Sequence, residues 1–377
     1  MVDEDSQELT TNGVEQVACH ACSRIVDVSK TEPFSVVECP HCGSRLSVPG
    51  KLGEFVLLKV LGKGTMGATY KAFDRTLGRH VAIKVMRKSL CDDEQLVGRF
   101  LGEARALASL NHRNVVQIYS LGREKGRPYI VMELVSGGQM AKLLEKGQSI
   151  EEKRALQIGI DAAEGLRAAY GIGLIHGDVK PGNILFDDEG GAKLVDFGPA
   201  RFGGGKQEPG EGMGTPYYVA PERVQQQASD HRSDMYSLGA TLFHAIAGKP
   251  PFAGDDLKDV LTARLDKPVP SLLAARRMLH PATAVVVERM LATDPEKRHQ
   301  NYDALLTELR EALQKVIAAA NGTALPATPG RGLAARKQES KRKDIWTLII
   351  VCAVMLIVLA AMLIILFWVA SSTPAPE

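Results

Sequence analysis

The chain has 377 residues, of which 45% are hydrophobic, and a formal net charge of +2. Its 36 glycines and 19 prolines make up about one residue in seven, which excludes a collagen-like chain and a wholly disordered one. A net charge near zero provides no global basic field for nucleic-acid binding. The chain begins with an acidic stretch, residues 1–16, that has five acidic side chains and no lysine or arginine. We therefore expect a disordered tail there rather than a secretory signal peptide.

Four of the six cysteines lie in residues 17–48 as two Cys-x-x-Cys pairs, Cys19 with Cys22 and Cys39 with Cys42. The 16 residues between the pairs match the zinc-ribbon template. Four thiolates leave no open position on a tetrahedral Zn²⁺, so we expect a structural metal that supplies the folding energy of this small module. Two disulfides or free thiols are the alternatives, and a cytoplasmic location disfavours disulfides. Because basic and acidic side chains are mixed in this module, we expect no nucleic-acid partner.

Residues 55–315 alternate apolar runs with glycine and proline, which predicts one large mixed domain. Segments typical of strands come first and segments with helical periodicity come later, so we predict an α+β fold with a smaller sheet-rich lobe ahead of a helical lobe. The predicted strands include 55–61, 81–85 and 129–132, and the predicted helices include 155–166 and 302–317.

A Gly-x-Gly-x-x-Gly motif, residues 62–67, directly follows the first of these strands. Alone, this motif is equally typical of a dinucleotide site or of a plain glycine turn. Because residues 69–73 have the pattern of another strand rather than of a helix, we predict a hairpin that covers phosphates. Lys84 stands alone on an apolar strand, where a lysine is costly unless an anion is near. Glu103, on the amphipathic run 98–110, is its expected ionic partner.

Four later motifs decide between these interpretations. They lie at residues 175–185, 194–198, 214–222 and 234–239, in that order. With them, residues 55–315 resemble the eukaryotic-type Ser/Thr protein kinases and, among these, the membrane-tethered bacterial members. The resemblance implies a bilobal protein kinase fold. It also implies transfer of the γ-phosphate of ATP, with Mg²⁺, to serine or threonine hydroxyls of substrate proteins.

The resemblance assigns roles to residues of the helical lobe. Asp178 would orient the substrate hydroxyl and accept its proton, and Lys180 would neutralise the γ-phosphate. Thr215 would touch Asp178 and the substrate. Glu222 would pair with Arg298 and brace the lobe.

The nucleotide site follows from the same resemblance. Lys84, held by Glu103, would contact the α- and β-phosphates, while Asn183 and Asp196 would hold Mg²⁺. The expected nucleotide contacts in the glycine-rich hairpin are Gly62, Lys63, Gly64, Thr65, Met66, Gly67, Ala68 and Thr69. Those around the adenine are Leu61, Ala82, Met132, Glu133, Val135 and Leu185.

The chain departs from the family pattern at several positions. Gly177 replaces the arginine that in the family helps to bind a phosphorylated activation loop, and residues 198–213 contain no serine, threonine or tyrosine. We therefore predict a kinase that activation-loop phosphorylation does not switch. Pro199 follows the Asp-Phe-Gly motif, Thr69 stands where a valine is usual, and Gly182 makes a basic substrate consensus doubtful.

The C-terminal part is predicted to anchor the chain in the cell membrane. Residues 321–344 are expected to form a flexible basic linker, and residues 345–370 have no charged side chain and are long enough to span a bilayer once as a helix. The basic residues 341–343 precede this helix, so the positive-inside rule places the kinase domain in the cytoplasm and the tail 371–377 outside. Small residues on this helix would allow it to form a homodimer: Ala353, Ala360 and Ala361.

Two other functions compete with an active kinase. The departures from the family pattern favour a pseudokinase scaffold, a binding module that uses the fold to present a surface. Alternatively, the zinc ribbon is the working part, a protein- or nucleic-acid-binding module with the kinase as its regulator, although the mixed charges of the ribbon disfavour nucleic acid. A further role for the ribbon is to recruit substrates or sense metal.

Overall fold

The computed structural model of the chain describes residues 13–197, 201–202, 217–254 and 256–322. The predicted membrane helix 345–370, the tail 371–377, Pro199 and Thr215 lie outside these residues, as do most of the acidic stretch and of the basic linker. Within the described residues, no helix is both long and apolar enough to cross a membrane.

The cysteine-rich module consists of two short antiparallel hairpins. Strand β1 (Gln16–Ala18) pairs with β2 (Ile25–Asp27), and β3 (Val36–Glu38) pairs with β4 (Arg45–Ser47). The middle residue is buried in β2 and β4 while its neighbours are exposed, as the two-residue period of a strand requires. The ribbon core, as we call the buried residues of this module, consists of Cys19, Val26, Val28, Cys39, Leu46 and Val48.

A six-stranded antiparallel sheet follows. Its strands are β5 (Gly50–Leu52), β6 (Phe55–Lys63), β7 (Gly67–Asp74), β8 (Arg79–Met86), β9 (Ile118–Glu124) and β10 (Arg127–Met132). The spatial order is β5-β6-β7-β8-β10-β9. Helix α1 (Glu94–Ala108) lies between β8 and β9 in the chain and packs against β9 and β10. Its N-cap is Asp93, whose carboxylate accepts hydrogen bonds from the backbone N–H groups of Gln95 and Leu96.

The two faces of this sheet have different surroundings. Alternate residues of β8, such as Ile83, belong to an apolar set that we call the outer cluster, whereas Ala82 and Met86 belong to the main core. Lys84 shares the face of Ala82 because side chains alternate along a strand. The outer cluster consists of Leu52, Leu57, Tyr70, Ala72, Val81, Ile83, Val85 and Val131.

The second lobe is mainly helical. Its helices are α2 (Met140–Leu143), α3 (Glu152–Gly171), α4 (Pro221–Val224), α5 (His231–Ala247), α6 (Leu257–Asp266), α7 (Leu272–Ala275), α8 (Pro281–Met290) and α9 (Tyr302–Ala320). Its short strands are β11 (Leu174–Ile175), β12 (Ile184–Phe186), β13 (Ala192–Leu194) and β14 (Arg201–Phe202), paired as β11 with β14 and β12 with β13.

Helix α5 is the centre of the helical lobe, since it is buried on nearly all sides and packs against α3 and α8. Close approach to α3 depends on Gly159, because a Cβ atom there would lie 2.8 Å from Cδ1 of Leu242. The predicted order of a sheet-rich lobe before a helical lobe is confirmed, as are the three predicted strands and the two predicted helices. The domain boundaries given above stay a prediction.

Candidate active site

The glycine-rich motif forms the turn of the β6–β7 hairpin. The N–H of Gly64 donates to the carbonyl of Gly67 at 2.8 Å, and Gly67 opens strand β7. A Cβ atom on Gly67 would lie 2.0 Å from the carbonyl oxygen of Val85, so a side chain at this position would push the hairpin away from β8. The predicted hairpin is therefore confirmed, and a dinucleotide site, which needs a helix at the third glycine, is excluded.

Lys84 lies at the centre of the sheet and faces the second lobe. Its neighbours across the sheet are Thr69 on β7 and Ile130 on β10. Its ammonium donates a hydrogen bond to Oδ1 of Asp196 at 2.8 Å. The two residues are 112 positions apart in the chain, so this contact joins the sheet to the segment that follows β13.

Charge sets the protonation states of this pair. Desolvation alone would lower the pKa of Lys84, but the carboxylate of Asp196 and, more weakly, those of Glu103 and Asp178 outweigh it and raise the pKa. Desolvation would likewise raise the pKa of Asp196, yet the charge and hydrogen bond of Lys84 hold it below its ordinary value. Both groups are thus kept ionised at neutral pH. The predicted pairing of Lys84 with Glu103 stays a prediction.

Asp196 also has an unusual backbone. Its φ angle is +51°, in the left-handed region that residues with a side chain rarely adopt. Such a conformation costs about 1–3 kcal/mol and persists where surrounding contacts fix it. The N–H of Val195 donates to the carbonyl of Asn183 at 3.0 Å, which ties this segment to the loop before β12.

That loop is built on a buried carboxylate. Asp234, on α5, accepts hydrogen bonds from the N–H groups of His176 at 2.7 Å and Gly177 at 2.8 Å. Burial raises the pKa of Asp234, although these two hydrogen bonds act against the increase. These hydrogen bonds fix the loop to α5, the buried central helix of the lobe.

The imidazole of His176 is in one neutral tautomer, and its two nitrogens connect parts of the loop. Its Nδ1 accepts from the N–H of Asp178 at 3.2 Å, and its Nε2 lies 3.2 Å from the carbonyl of Val195, which can only accept. The proton is therefore on Nε2. The ring stacks on Phe197 at 4.3 Å between centroids, and burial lowers the pKa of His176.

The polar groups of this loop converge on Asp178. The ammonium of Lys180 donates to its Oδ2 at 2.6 Å, and the amide nitrogen of Asn183 lies 3.1 Å from the same oxygen. Asn183 also donates to the backbone carbonyls of Asp178 at 2.8 Å and Asp196 at 3.5 Å. Because the amide nitrogen makes these contacts, Oδ1 is the atom of Asn183 that can coordinate a cation.

The residues predicted to surround an adenine lie at the boundary between the lobes. Ala82 and Met132 are directly opposite each other in the β8–β10 pair, and both are buried. Val135 and Leu185 are partly buried against the main core, whereas Leu61 on β6 is 45% exposed. The structure thus brings most of the predicted apolar contacts to one boundary and leaves Leu61 open to solvent at its edge.

Sequence reasoning missed an ion pair at this boundary. The ammonium of Lys193 lies 3.0 Å from Oε1 of Glu133, and the N–H of Gln117 donates to Oε2 at 3.2 Å. Lys193 is also the cross-strand neighbour of Leu185. No local pattern distinguishes Lys193 from a solvated lysine, because its partner lies 60 residues away.

Two arginines contact helix α4 and the loop: Arg298 bonds to Glu222 on α4, and Arg223 on α4 bonds to the loop. Arg298 is fully buried and forms a two-pronged ion pair with Glu222, with both N–O distances 2.7 Å, so the predicted brace is confirmed. Arg223, the residue after Glu222 on α4, donates a hydrogen bond to the carbonyl of Gly177. The sequence did not indicate this second contact.

The four paired cysteines also come together, at the junction of the two N-terminal hairpins. Their sulfur atoms all lie within 4.8 Å of one another, with 3.6 Å from Cys19 to Cys42 and 3.8 Å from Cys22 to Cys39. Sulfurs about 2.3 Å from a tetrahedral Zn²⁺ are about 3.8 Å apart, whereas a disulfide needs about 2.05 Å. The five cysteines within the described residues are all free thiols. This geometry fits a zinc ion, and no disulfide joins these cysteines in the structure.

Two of these thiols differ in acidity. Hydrogen bonding with Ser44 lowers the pKa of Cys42 to about 6. A backbone hydrogen bond from Arg24 favours ionised Cys22, but desolvation and the three other thiols raise its pKa to about 12. Ionisation of Cys22 at neutral pH therefore needs a nearby cation, such as a metal ion.

Comparison with known proteins places this geometry in context. The model of the protein kinase domain family matches residues 55–310. Serine/threonine-protein kinase PknL of Mycobacterium tuberculosis is 36% identical over 265 residues, which are 70% of this chain and 66% of PknL. PknA of the same species is 34% identical over 269 residues, 70% of this chain and 61% of PknA. The DNA damage-responsive serine/threonine-protein kinase RqkA of Deinococcus radiodurans is 37% identical over 266 residues, 68% of this chain and 39% of RqkA. The matched part thus spans between 39% and 66% of the length of these relatives.

Proposed function

The chain belongs to the protein kinase domain family, and on that premise we propose that it is an ATP-dependent serine/threonine-protein kinase. The observation that carries the proposal is the convergence of Lys84, Asp178, Asn183 and Asp196, which hydrogen bonds and charge link into one group. The names of the relatives support serine and threonine as acceptors. Lys180, bonded to Asp178, agrees with this choice.

The proposed reaction moves one phosphoryl group and one proton. The hydroxyl oxygen of the substrate forms a bond to the γ-phosphorus of ATP, the bond from that phosphorus to the bridging oxygen breaks, and ADP leaves. Asp178 orients the hydroxyl and accepts its proton, and Lys180 stabilises charge on the transferring group. Asn183, through Oδ1, and Asp196, through its carboxylate, would hold Mg²⁺, which would supply charge neutralisation at the phosphates.

Lys84 has a double role in this proposal. Without nucleotide its ammonium neutralises Asp196. When the phosphates are bound, the same ammonium contacts the α- and β-phosphates, and Asp196 becomes free for the cation. Glu103 then supplies the negative charge that keeps Lys84 protonated and in place.

Transfer of labelled phosphate from ATP to casein tests the proposal. We expect Asp178→Asn in the full chain to lower the rate by at least about 100-fold, because proton acceptance and hydroxyl orientation are both lost. Asp259→Asn, at an exposed position on α6, is the matched control and should keep the wild-type rate. A folded wild-type chain that binds ATP but transfers no phosphate would instead support the pseudokinase alternative.

The kinase is also proposed to work without activation-loop phosphorylation. Support comes from Gly177, from the lack of acceptor residues in 198–213 and from the hydrogen bond that Arg223 gives to the Gly177 carbonyl. This contact anchors the loop that runs from His176 to Asn183 to helix α4 without any phosphate. Phosphatase treatment of the purified chain should leave its initial rate unchanged. A clear fall in rate, or activation by phosphorylation of Thr215, would contradict this part of the proposal.

A structural zinc ion in the N-terminal module is the third part of the proposal. The sulfur distances support it, and four sulfur ligands leave no position for catalysis. We expect the purified chain to contain one zinc per molecule by elemental analysis. A Cys39→Ser variant should lose the metal, and a Cys91→Ser variant, outside the four-cysteine group, should keep it.

Membrane attachment completes the proposal. Residues 345–370 would span the cell membrane once, with the kinase domain in the cytoplasm and the tail 371–377 outside. Support comes from the length and apolar composition of this segment and from the basic residues 341–343 before it. A chain truncated after residue 344 should move from the membrane to the soluble fraction of cells. Cross-linking of the full chain in membranes tests whether the helix also mediates a homodimer.

A further inference from the structure

The N-terminal module contacts the nucleotide lobe through Phe34, an aromatic residue between its two hairpins. The ring of Phe34 stacks on Tyr70 with 5.4 Å between centroids and 24° between planes. Tyr70 is fully buried on β7 and belongs to the outer cluster, against which Phe34 packs. A side chain from the cysteine module thus covers part of the apolar face of the kinase sheet.

The sheet leaves room for this ring. A Cβ atom on Gly50 would lie 3.1 Å from Cζ of Phe34 and 3.5 Å from Cβ of Leu57. Gly50 begins β5, and its neighbour across the sheet is Leu57 on β6. Larger side chains at position 50 would therefore compete with Phe34 for the same space, so the glycine makes the contact with the module close.

The backbone of Phe34 is held by the ribbon core. Its φ angle is +64°, which is unfavourable for a bulky side chain. Two hydrogen bonds keep this conformation: the N–H of Phe34 donates to the carbonyl of Val48 at 2.6 Å, and the N–H of Val48 donates to the carbonyl of Ser35 at 2.9 Å. Val48 is buried in the ribbon core beside Cys19 and Cys39. The position of Phe34 therefore depends on the part of the module that holds the metal ligands.

The contact lies one residue from the nucleotide-binding lysine. Tyr70 is opposite Ile83 in the β7–β8 pair, and the preceding residue of β7, Thr69, is opposite Lys84. Strand β7 also begins at Gly67, the third glycine of the hairpin turn. Any loosening of β7 at Tyr70 thus reaches both the glycine-rich turn and the backbone that carries Lys84.

From these contacts we propose that Phe34 is a positioning residue that couples metal binding in the cysteine module to the order of the nucleotide-binding hairpin. The inference rests on the metal site proposed above. With metal bound, the ribbon core holds Phe34 against Tyr70 and β7 stays packed. Without metal, the core loses its four-sulfur centre, Phe34 leaves the outer cluster, and the hairpin binds ATP more weakly. The module is then a metal-dependent brace of the kinase lobe.

A two-by-two comparison of the full chain tests this coupling: wild type and Phe34→Ala, each with zinc and after removal by a chelator, with zinc content measured in every sample. Hydrogen exchange of backbone amides in residues 67–74 is the first readout. Zinc removal from the wild type should accelerate exchange about tenfold or more, and Phe34→Ala should do the same with zinc retained. Zinc removal from Phe34→Ala should add less than about threefold, because the coupled contact is already lost.

The second readout is ATP binding. The KM for ATP should rise in the wild type without zinc and in Phe34→Ala with zinc, with a smaller change in kcat. Phe34→Leu, which keeps an apolar side chain, should restore most of the exchange protection. The matched control is Val36→Ala, in the same module but 54% exposed, which should behave as the wild type in both readouts.

Three results would overturn the inference. The first is a Phe34→Ala chain that keeps wild-type exchange in β7 while zinc removal accelerates it. The second is that zinc removal and Phe34→Ala each accelerate exchange and that their factors multiply when both are applied. This would show that the metal affects β7 independently of Phe34. The third is a chain that takes up no metal. Because exchange needs no phosphoryl transfer, a catalytically inactive chain would contradict the kinase proposal and leave this test decisive.

Discussion

Arg298→Met is expected to destabilise the helical lobe severely. Arg298 is a fully buried cation, and each of its five N–H groups donates a hydrogen bond. Two of the bonds go to the carboxylate of Glu222, and the other three go to backbone carbonyls of the lobe. Methionine fills much of the same volume but donates none of these bonds, so the variant isolates the loss of the charge and its hydrogen bonds.

The expected loss of unfolding free energy follows from the buried carboxylate of Glu222, which the substitution leaves without its partner. Glu222 would stay buried, with the hydroxyl of Ser233 at 2.6 Å as a remaining donor. Removal of one partner of a buried ion pair costs about 3–5 kcal/mol, which is a large share of the roughly 5–15 kcal/mol that stabilises a domain. By contrast, Arg289 pairs with Glu308 at the surface, where its side chain is 42% exposed. Arg289→Met is therefore the matched control, with an expected loss below about 1 kcal/mol.

Urea unfolding followed by far-UV circular dichroism measures the difference. Tryptophan fluorescence is unsuitable, because the two tryptophans, Trp346 and Trp368, lie in the C-terminal apolar segment. Equal stability of the Arg298→Met and Arg289→Met chains would refute the reasoning, since it would show that burial of the Glu222 pair contributes nothing beyond a surface pair.

The pH dependence gives a second, independent signature of the same substitution. Desolvation opposes ionisation of Glu222, but the hydrogen bonds and charge of Arg298 outweigh it and lower the pKa. In the wild type this stabilisation is present above the ordinary pKa of glutamate and is lost as the pH falls through the lowered value. Without Arg298, burial raises the pKa of Glu222 instead, so protonation relieves the penalty. The stability deficit of Arg298→Met should therefore shrink as the pH falls towards about 4.

Three other substitutions have distinct expected outcomes. Lys193→Met removes the ammonium that holds Glu133, so KM for ATP in steady-state assays should rise several-fold with little change in kcat, and Lys193→Arg should preserve it. Lys84→Met should lower kcat/KM by at least about 100-fold and raise the pKa of Asp196, measured by NMR titration, because the neighbouring cation is lost. Burial lowers the pKa of His176, so the stability that neutral His176 provides is present above pH 6.5 and is lost below it, by at most about 1.4 kcal/mol per pH unit. His176→Asn should flatten that part of the curve of unfolding free energy against pH.

Much of the sheet could be predicted from local pattern. The β8 run alternates between two faces, which places Lys84 on the side of Ala82 and opposite Ile83, and the structure has the same arrangement. The strand pattern after the glycine turn likewise predicted a hairpin rather than a dinucleotide fold, and the structure has this hairpin. The location of Lys84 and Asp196 in one site is different, since the two residues are 112 positions apart and only the family resemblance placed both at the nucleotide. Their direct ion pair was not predicted, because Glu103 was the expected partner of Lys84.

The contacts that local pattern could not predict are those in which one partner has an ordinary sequence context. Phe34 lies in a polar stretch between two cysteine pairs, and its partner Tyr70 is one of many alternating apolar residues in a strand. The available hint was Gly50, a glycine that opens a strand where no turn requires it. The structure explains this glycine, because the ring of Phe34 occupies the space that a side chain at position 50 would fill.

Gly177 has a structural role in the loop in addition to being a departure from the family pattern. In the sequence it is the loss of an arginine, and that loss favours a weakened or inactive kinase. In the structure its φ angle is +74°, a left-handed conformation that glycine adopts without the steric cost of a side chain. A guanidinium is still present at this point of the loop, because Arg223 donates to the Gly177 carbonyl from α4. Glu222, the neighbour of Arg223, is held by Arg298, so the buried ion pair and the catalytic loop are mechanically connected through one short helix. The loop thus has an arginine contact from another element of the lobe, and this contact supports the proposal that activation-loop phosphorylation is not needed.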